Sequence, residues 1–394
     1  MGLLTGFVHA ARRERGRLRA SPWDLAMISW APALGALLLW WIFSAGLPTQ
    51  LPVGVLDQDH SALSRQLVRL LDAAPGLRVA QALTDPGQVQ PVLRSDQLHA
   101  VVVIPERFSQ DVKRGHAAQV VLLHNAQLGT HSGLIQRDVR TVVGTLSAGI
   151  EMAARNKRGE PAATVRVAME PVRSDLVTLF NPSLNYEQFL AAALIPALLH
   201  ILAMTAGAWA VGRELRDGSI ADWLPEPARL DTVTGALLGK LVWPLLSLGS
   251  VASLALLGLT LGRGWHPPGQ LGWVWLGLMA LLALSIALGA LAAAATRSLR
   301  TALSATGFIT APAFAFSGVG FPLVAMPASA RAWAEALPYT HYIRLQMEQL
   351  QMAAPLHESA TTLAALGLGA ALLLALCAPL LARLRGQPSQ WGRR

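Results

Sequence analysis

The nearest approach to a nucleotide site in this chain is Gly235-Ala236-Leu237-Leu238-Gly239-Lys240-Leu241. A phosphate-cradling loop needs four residues between its glycines and a Ser or Thr after its lysine. Here the spacing is one short, the hydroxyl is missing, and the segment opens an apolar run. The match is chance, and no nucleotide site is expected. His99, His116, His124 and His131 lie 17, 8 and 7 residues apart and match no compact metal motif. They read as scattered surface histidines. His357-Glu358 lacks the second histidine of a zinc helix, and no Gly-x-Ser-x-Gly elbow occurs. The single cysteine, Cys377, sits inside an apolar run, so an intramolecular disulfide or a cysteine-rich metal site is excluded. The expectation is a chain that is not an enzyme and has no cofactor or metal of its own.

Two kinds of residue remain. The first are polar or aromatic groups placed at membrane depth or beside it, where ionisable side chains mark functional sites. His200, Phe316, Phe321, Glu335, His341 and Arg344 are the candidates for a transport path or gate. Glu335, His341, Arg344 and Glu348 are close enough in sequence to pair among themselves, and Tyr186 and Glu187 stand at the entry to a span. The second is the segment Gly212 to Pro227, with Arg213, Glu214, Gly218, Ser219, Trp223, Leu224 and Pro225. Gly218 breaks one helix, Ser219 can cap a short one, and Pro225 ends it. That helix would gather Ile220, Trp223 and Leu224, a shape suited to a partner's groove. An ordinary interfacial loop is the plainer reading.

The elements that must carry these residues are membrane helices. Of 394 residues, 53% are hydrophobic and 14% charged, against about 25% charged in soluble domains. Six runs, 25–46, 187–210, 236–261, 271–295, 302–323 and 359–382, are each long enough to span. Residues 1–24 form a basic, amphipathic interfacial helix with Leu3, Leu4, Phe7, Val8 and Ala11 at helical spacing. The run after it has no convincing cleavage site and reads as a retained first span. Residues 324–356 are too broken for a span and read as a re-entrant segment shielded by protein.

Residues 48–185 differ in texture. Short strand patterns (51–56, 98–104, 119–124) alternate with helical ones (61–73, 138–157), giving a mixed α/β domain. Ser61 is placed to cap a helix whose Leu63, Leu67, Leu70 and Leu71 share a face. The expected fold class is therefore a mainly α membrane protein, with six transmembrane helices and an inserted extracytoplasmic α/β domain. If the N-terminus is cytoplasmic, the inner short segments hold fifteen Lys and Arg and the outer ones three. Both termini (the tail being 383–394) are then inside. The net charge of +9 belongs to this bias and not to nucleic-acid binding.

The 212–227 segment resembles the first cytoplasmic loop of the ABC-2 family of transporter permeases, which runs Arg-Glu, a Gly-hydroxyl pair, a hydrophobic pair and Pro. Arg213, Glu214, Gly218, Ser219, Leu224 and Pro225 occupy those places. Gly239-Lys240, Phe316-Ser317-Gly318 with Phe321-Pro322, Met326-Pro327 and Leu337-Pro338 are similar to later parts of the family. Val53 to Asp59 and Val103 to Phe108 resemble the subgroup with a large extracytoplasmic domain. Ser219 stands where Thr is usual, and Pro225-Glu226-Pro227 replaces a simpler ending.

The resemblance implies a permease subunit of an ATP-driven exporter in the bacterial inner membrane. It would pair with a second permease copy or homologue and with separate ABC ATPase subunits, which bind the ATP and Mg. Residues 211–235 would be the coupling loop, with Glu214 in an ion pair at the ATPase contact. The large outer domain implies a periplasmic membrane-fusion adaptor. Two other classes stay in view. A membrane-anchored extracytoplasmic sensor would not need the 212–227 segment. An intramembrane enzyme would need paired carboxylates, a Ser/His pair or a metal cluster in its spans.

Overall fold

The computed structural model describes residues 2–158, 179–181, 184–224 and 226–391. Pro225, Arg393 and Arg394 lie outside them. The chain forms two compact units, one from 1–46 with 178–394, the other from 47–177.

In the first unit, α1 (Gly2–Ala20), α2 (Pro22–Ile28) and α3 (Trp30–Phe43) precede the insertion. After it come a π-helical turn at Glu187–Ala191, α8 (Ala192–Arg216), α9 (Ile220–Trp223), α10 (Leu230–Leu259), α11 (Leu271–Thr296) and α12 (Leu299–Thr310). The chain ends with α13 (Ala328–Ala336), α14 (Pro338–Met347) and α15 (Leu356–Arg385). Among the described residues five helical stretches are long and apolar enough to cross a membrane: Pro22–Phe43, Glu187–Arg216, Leu230–Arg263, Leu271–Thr296 and Leu356–Arg385. This is a multi-pass membrane protein.

The sixth expected span, 302–323, is corrected. Its helix stops at Thr310 after 12 residues and gives way to turns. Such a helix rises about 18 Å, well short of the ~30 Å hydrocarbon core. Pro312 has no N–H to continue the ladder, and Gly318 takes a left-handed φ of +90°. Within 324–356 two short helices form, α13 and α14. Helical order also reaches further into the 211–235 loop than expected, because α8 runs to Arg216 and α10 starts at Leu230.

Two spans are central and two peripheral. The most apolar windows of Glu187–Arg216 and Leu271–Thr296 are 61% buried, those of Pro22–Phe43 and Leu356–Arg385 only 22%. The central pair meets backbone to backbone. A Cβ on Gly207 would fall 2.0 Å from the Ile286 carbonyl oxygen, and one on Gly289 2.0 Å from that of Met204. Small residues permit this approach where no hydrophobic effect drives helices together.

The second unit holds β1 (Leu51–Asp57), α4 (Ala62–Asp72), β2 (Leu77–Leu83), α5 (Val89–Arg94), β3 (Ala100–Ile104), α6 (Phe108–Arg114), β4 (Val121–His124) and α7 (Gly129–Lys157). The sheet order is β2-β1-β3-β4, with β1 parallel to both neighbours and β4 antiparallel to β3. Val53, Val55, Val102 and Ile104 pack with Leu67, Leu71, Ile135 and Val139 in one core. Ser61 caps α4 by accepting from the Ser64 amide at 3.0 Å. Leu67 and Leu71 are fully buried, with Leu63 and Leu70 packed beside them. The long helix begins at Gly129, nine residues before the expected 138. β2 escapes a reading by alternation because its five inner residues, Arg78 to Ala82, run polar, apolar, apolar, polar, apolar and are largely exposed.

The histidines are not all scattered. His99 and His131 stack with ring centroids 4.9 Å apart and planes 8° from parallel. His124 shares its Nδ1 with Ser132 Oγ at 2.6 Å. Burial, followed by the neighbouring His131, holds the His99 pKa below its ordinary value, although Asp96 opposes them.

Candidate functional site

Glu214 lies in the last turn of α8, between Arg213 and Arg216, and Lys240 lies in α10 in an otherwise apolar stretch. An ionised group there is costly unless it is paired and hydrogen-bonded. The two find each other, with Lys240 Nζ donating to Glu214 Oε1 at 2.6 Å and both side chains 1% exposed. Lys240 also donates to Glu14 of α1 at 2.8 Å. Arg13 closes the other side of Glu214 in a two-pronged contact of 2.6 and 3.0 Å. Arg17 adds a 3.3 Å bond to Glu214 and bonds to Glu14 as well. Ser219 Oγ donates to the remaining Glu214 oxygen. Burial lowers the Arg13 pKa, but the bond and charge of Glu214 outweigh it and raise the guanidinium above its ordinary value.

The cluster exists because α1 lies directly on α10. A Cβ on Gly235 would meet the Leu3 carbonyl oxygen at 2.0 Å, and one on Gly239 that of Phe7 at 2.2 Å. Glycine at these two places lets the helices close until Glu14 reaches Lys240. Trp243 Nε1 fixes the register by donating to the Ala11 carbonyl at 2.9 Å. A second ion pair joins Arg213 to Asp24 of α2, which also accepts from Trp209 Nε1 at 3.1 Å.

The short helix hangs from this cluster. Gly218, at φ +67°, turns the chain out of α8, and the Ser219 amide returns to the Glu214 carbonyl at 3.0 Å. Ser219 occupies the N-cap position of α9, but its hydroxyl serves Glu214 and makes no capping bond. Ile220, Trp223 and Leu224 all point into the protein. Trp223 Nε1 donates to the Ala236 carbonyl at 3.3 Å, and Lys240 Nζ sits 4.9 Å from the centre of its ring. Arg385 of α15 ties the loop from the far end, bonding to the Leu224 carbonyl at 3.2 Å and to Glu226 at 3.0 Å. Arg216, Asp217, Ala221 and Asp222 face outward. The Arg216 hydrogen bond, with help from Arg213 and against burial, keeps the Asp217 carboxyl below its ordinary pKa.

Two expectations change here. The apolar side chains of α9 are no plug for a partner, since the chain's own α10 covers them. The ion pairing of Glu214 is internal, to Arg13, Arg17 and Lys240. The sequence reading missed Glu14, Arg13, Arg17 and the bridging role of Lys240. The available signal was Lys240, a lone cation inside an apolar run that needs a buried partner.

The residues proposed for a path or gate do not converge. His200 is buried, with Nδ1 2.7 Å from Ser285 Oγ and its ring 6.2 Å from that of Tyr339. Ser285 Oγ also lies 2.6 Å from the Leu281 carbonyl. Phe316 packs against the core, while Phe321 is exposed. His341 bonds to the Glu335 backbone carbonyl at 2.7 Å, and Glu348 accepts from Ser359 at 2.7 Å. Among the described residues no ion pair links Glu335, His341, Arg344 and Glu348. At the opposite end of the bundle Glu187 is buried between Trp40 Nε1 at 2.8 Å and Arg263 Nε at 2.9 Å.

The family model described as "ABC-2 family transporter protein" matches residues 22–378. No curated protein matches the chain at a significant level.

Proposed function

Because the chain belongs to the ABC-2 transporter family, we propose that it is the permease subunit of an ATP-driven exporter. Two permeases, two copies of this chain or this chain and a homologue, assemble with two ATPase subunits that hold the ATP and Mg. Residues 2–24 and 212–230 face the cytoplasm of a bacterial cell, and the 47–177 unit lies outside the inner membrane. That unit offers a surface to a periplasmic adaptor, and cargo moves outward.

The observation that carries this reading is the Glu214–Lys240–Arg13 junction. It joins the short helix α9, the surface helix α1 and the spans α8 and α10 through buried charge. A push on the outward residues Asp217 and Asp222 is passed to four helices without a soft joint. Buried ionic networks lose several kcal/mol when one member is removed, so these helices move together. The ATPase meets the exposed face of α1 and α9, while Trp223 and Leu224 transmit the motion from beneath.

The deciding experiment is co-purification of the intact complex with its ATPase, followed by a cysteine cross-link from position 222 to that subunit. A cross-link that forms and responds to ATP supports the proposal. Absence of any ATPase partner, or labelling of position 222 from outside intact cells, overturns it.

A further inference from the structure

Between α3 and α10 lies a lipid-facing cleft of about 420 Å³. Its walls are Ala33, Ala36 and Leu37 on one side and Leu254, Ala255 and Gly258 on the other. Small side chains leave the space between the two helices unfilled at this level. Leu37 and Leu254 at the mouth are 57% and 71% exposed, so the opening faces the hydrocarbon. An apolar cleft does not hold water. Left empty, it would forfeit the dispersion contacts of its whole lining.

The cleft has one polar end. Arg263 closes it at the boundary of the Leu230–Arg263 span, on the side where the 47–177 unit is inserted. Its Nε is paired with Glu187 at 2.9 Å, its Nη2 donates to the Ser44 carbonyl at 3.0 Å, and its plane lies 5.9 Å from the centre of the Trp40 ring. Nη1 makes no hydrogen bond among the described residues, and the side chain is 45% exposed. A fixed guanidinium with a spare donor, at the end of an apolar channel and beside an interfacial tryptophan, suits a phosphate joined to an alkyl chain.

We propose that this cleft is a binding site for one membrane phospholipid, with an acyl chain laid against Ala36 and Gly258 and its phosphate on Arg263. The lipid comes from the leaflet on the side of the inserted unit. It completes the contact between α3 and α10 that the small residues leave open. The site does not depend on the exporter reading.

Gly258 offers a clean test, because a Cβ built there meets nothing within 4 Å. Gly258→Phe fills the cleft without striking backbone. The full-length protein is loaded with phosphatidylglycerol carrying a photoreactive acyl chain and washed in detergent, and the labelled peptides are mapped. The expected labels fall on 33–37 and 254–258, and Gly258→Phe lowers them with folding intact. Diacylglycerol of the same chain length, which lacks the phosphate, is retained roughly tenfold less, the size of one charge-assisted hydrogen bond. Arg263→Gln removes that difference. Equal labelling of the exposed face of α15 around Leu368 and Leu372, or labelling unchanged in Gly258→Phe, overturns the site. Equal retention of the two lipids overturns the role of Arg263.

Discussion

Lys240 Nζ lies 2.8 Å from Glu14 and 2.6 Å from Glu214, two carboxylates that are 200 residues apart in sequence and share one cation. Two buried carboxylates at such range repel unless a positive charge stands between them. The junction is therefore cooperative, and removing the cation harms both acids.

Lys240→Met is expected to destabilise the protein by about 1–3 kcal/mol, since the two carboxylates lose a buried partner but keep Arg13 and Arg17. Adding Glu14→Gln and Glu214→Gln should recover part of that loss. Thermal unfolding in detergent of the single, double and triple variants measures it. Simple additivity would show that the three groups are not one network.

Gly235→Val would drive a side chain into the Leu3 carbonyl. The fit between α1 and α10 is expected to loosen at a cost of about 1–3 kcal/mol. Hydrogen exchange should rise along 2–20 and stay unchanged in the 47–177 unit. Unaltered protection of α1 would mean that the close approach is not needed to hold it.

Gly218→Ala is expected to cost about 1–2 kcal/mol, because φ +67° is strained for a residue that carries a Cβ. Gly218→Pro and Trp223→Asp go further, the first by breaking the turn and the second by burying a carboxylate under α10. Both variants should still insert in the membrane, yet ATP hydrolysis by the complex should lose its link to transport. Normal transport by both would remove α9 from the coupling path.

Asp222→Lys tests the outward face instead. The residue is exposed, so stability should shift by no more than about 0.5 kcal/mol. Recovery of the ATPase in pull-downs should nevertheless fall. Unchanged recovery would place the contact elsewhere.

The stacked pair His99 and His131 gives the 47–177 unit a dependence on pH. The His99 pKa is lower in the folded state than in the unfolded chain. The unfolded state thus binds more protons, and stability is lost as pH falls through the ordinary histidine range. Hydrogen exchange in this unit should be faster at pH 5.5 than at pH 7.5, and His99→Phe should flatten the difference. An exchange profile independent of pH would rule out the linkage.

The spans were legible because length and apolarity alone demand a bilayer. The 302–323 run satisfied the same count, but Pro312 and Gly318 act on the backbone and composition hides them. The strands around Val53 and Val101 could be read from β-branched runs. β2 could not, since its mixed middle follows no alternation. Glu214 was legible as a residue of interest, but its partners were not. Glu14 and Lys240 come together through glycine contacts at Gly235 and Gly239, whose i,i+4 spacing marks a close helix approach without naming the helix that fills it. The facing of Trp223 was equally hidden, because a helix of four residues has no period from which to infer a buried side.

The contact of α1 with α10 also constrains biogenesis. The first helix leaves the ribosome long before the stretch that will receive it has been translated. Until Lys240 emerges, Glu14 and Glu214 lack one of the cations they share, Arg17 being another, and the growing chain must keep both carboxylates in water or on its own arginines. Seating α1 is thus a late step, and a chain that stops short of residue 240 retains an undocked leading helix.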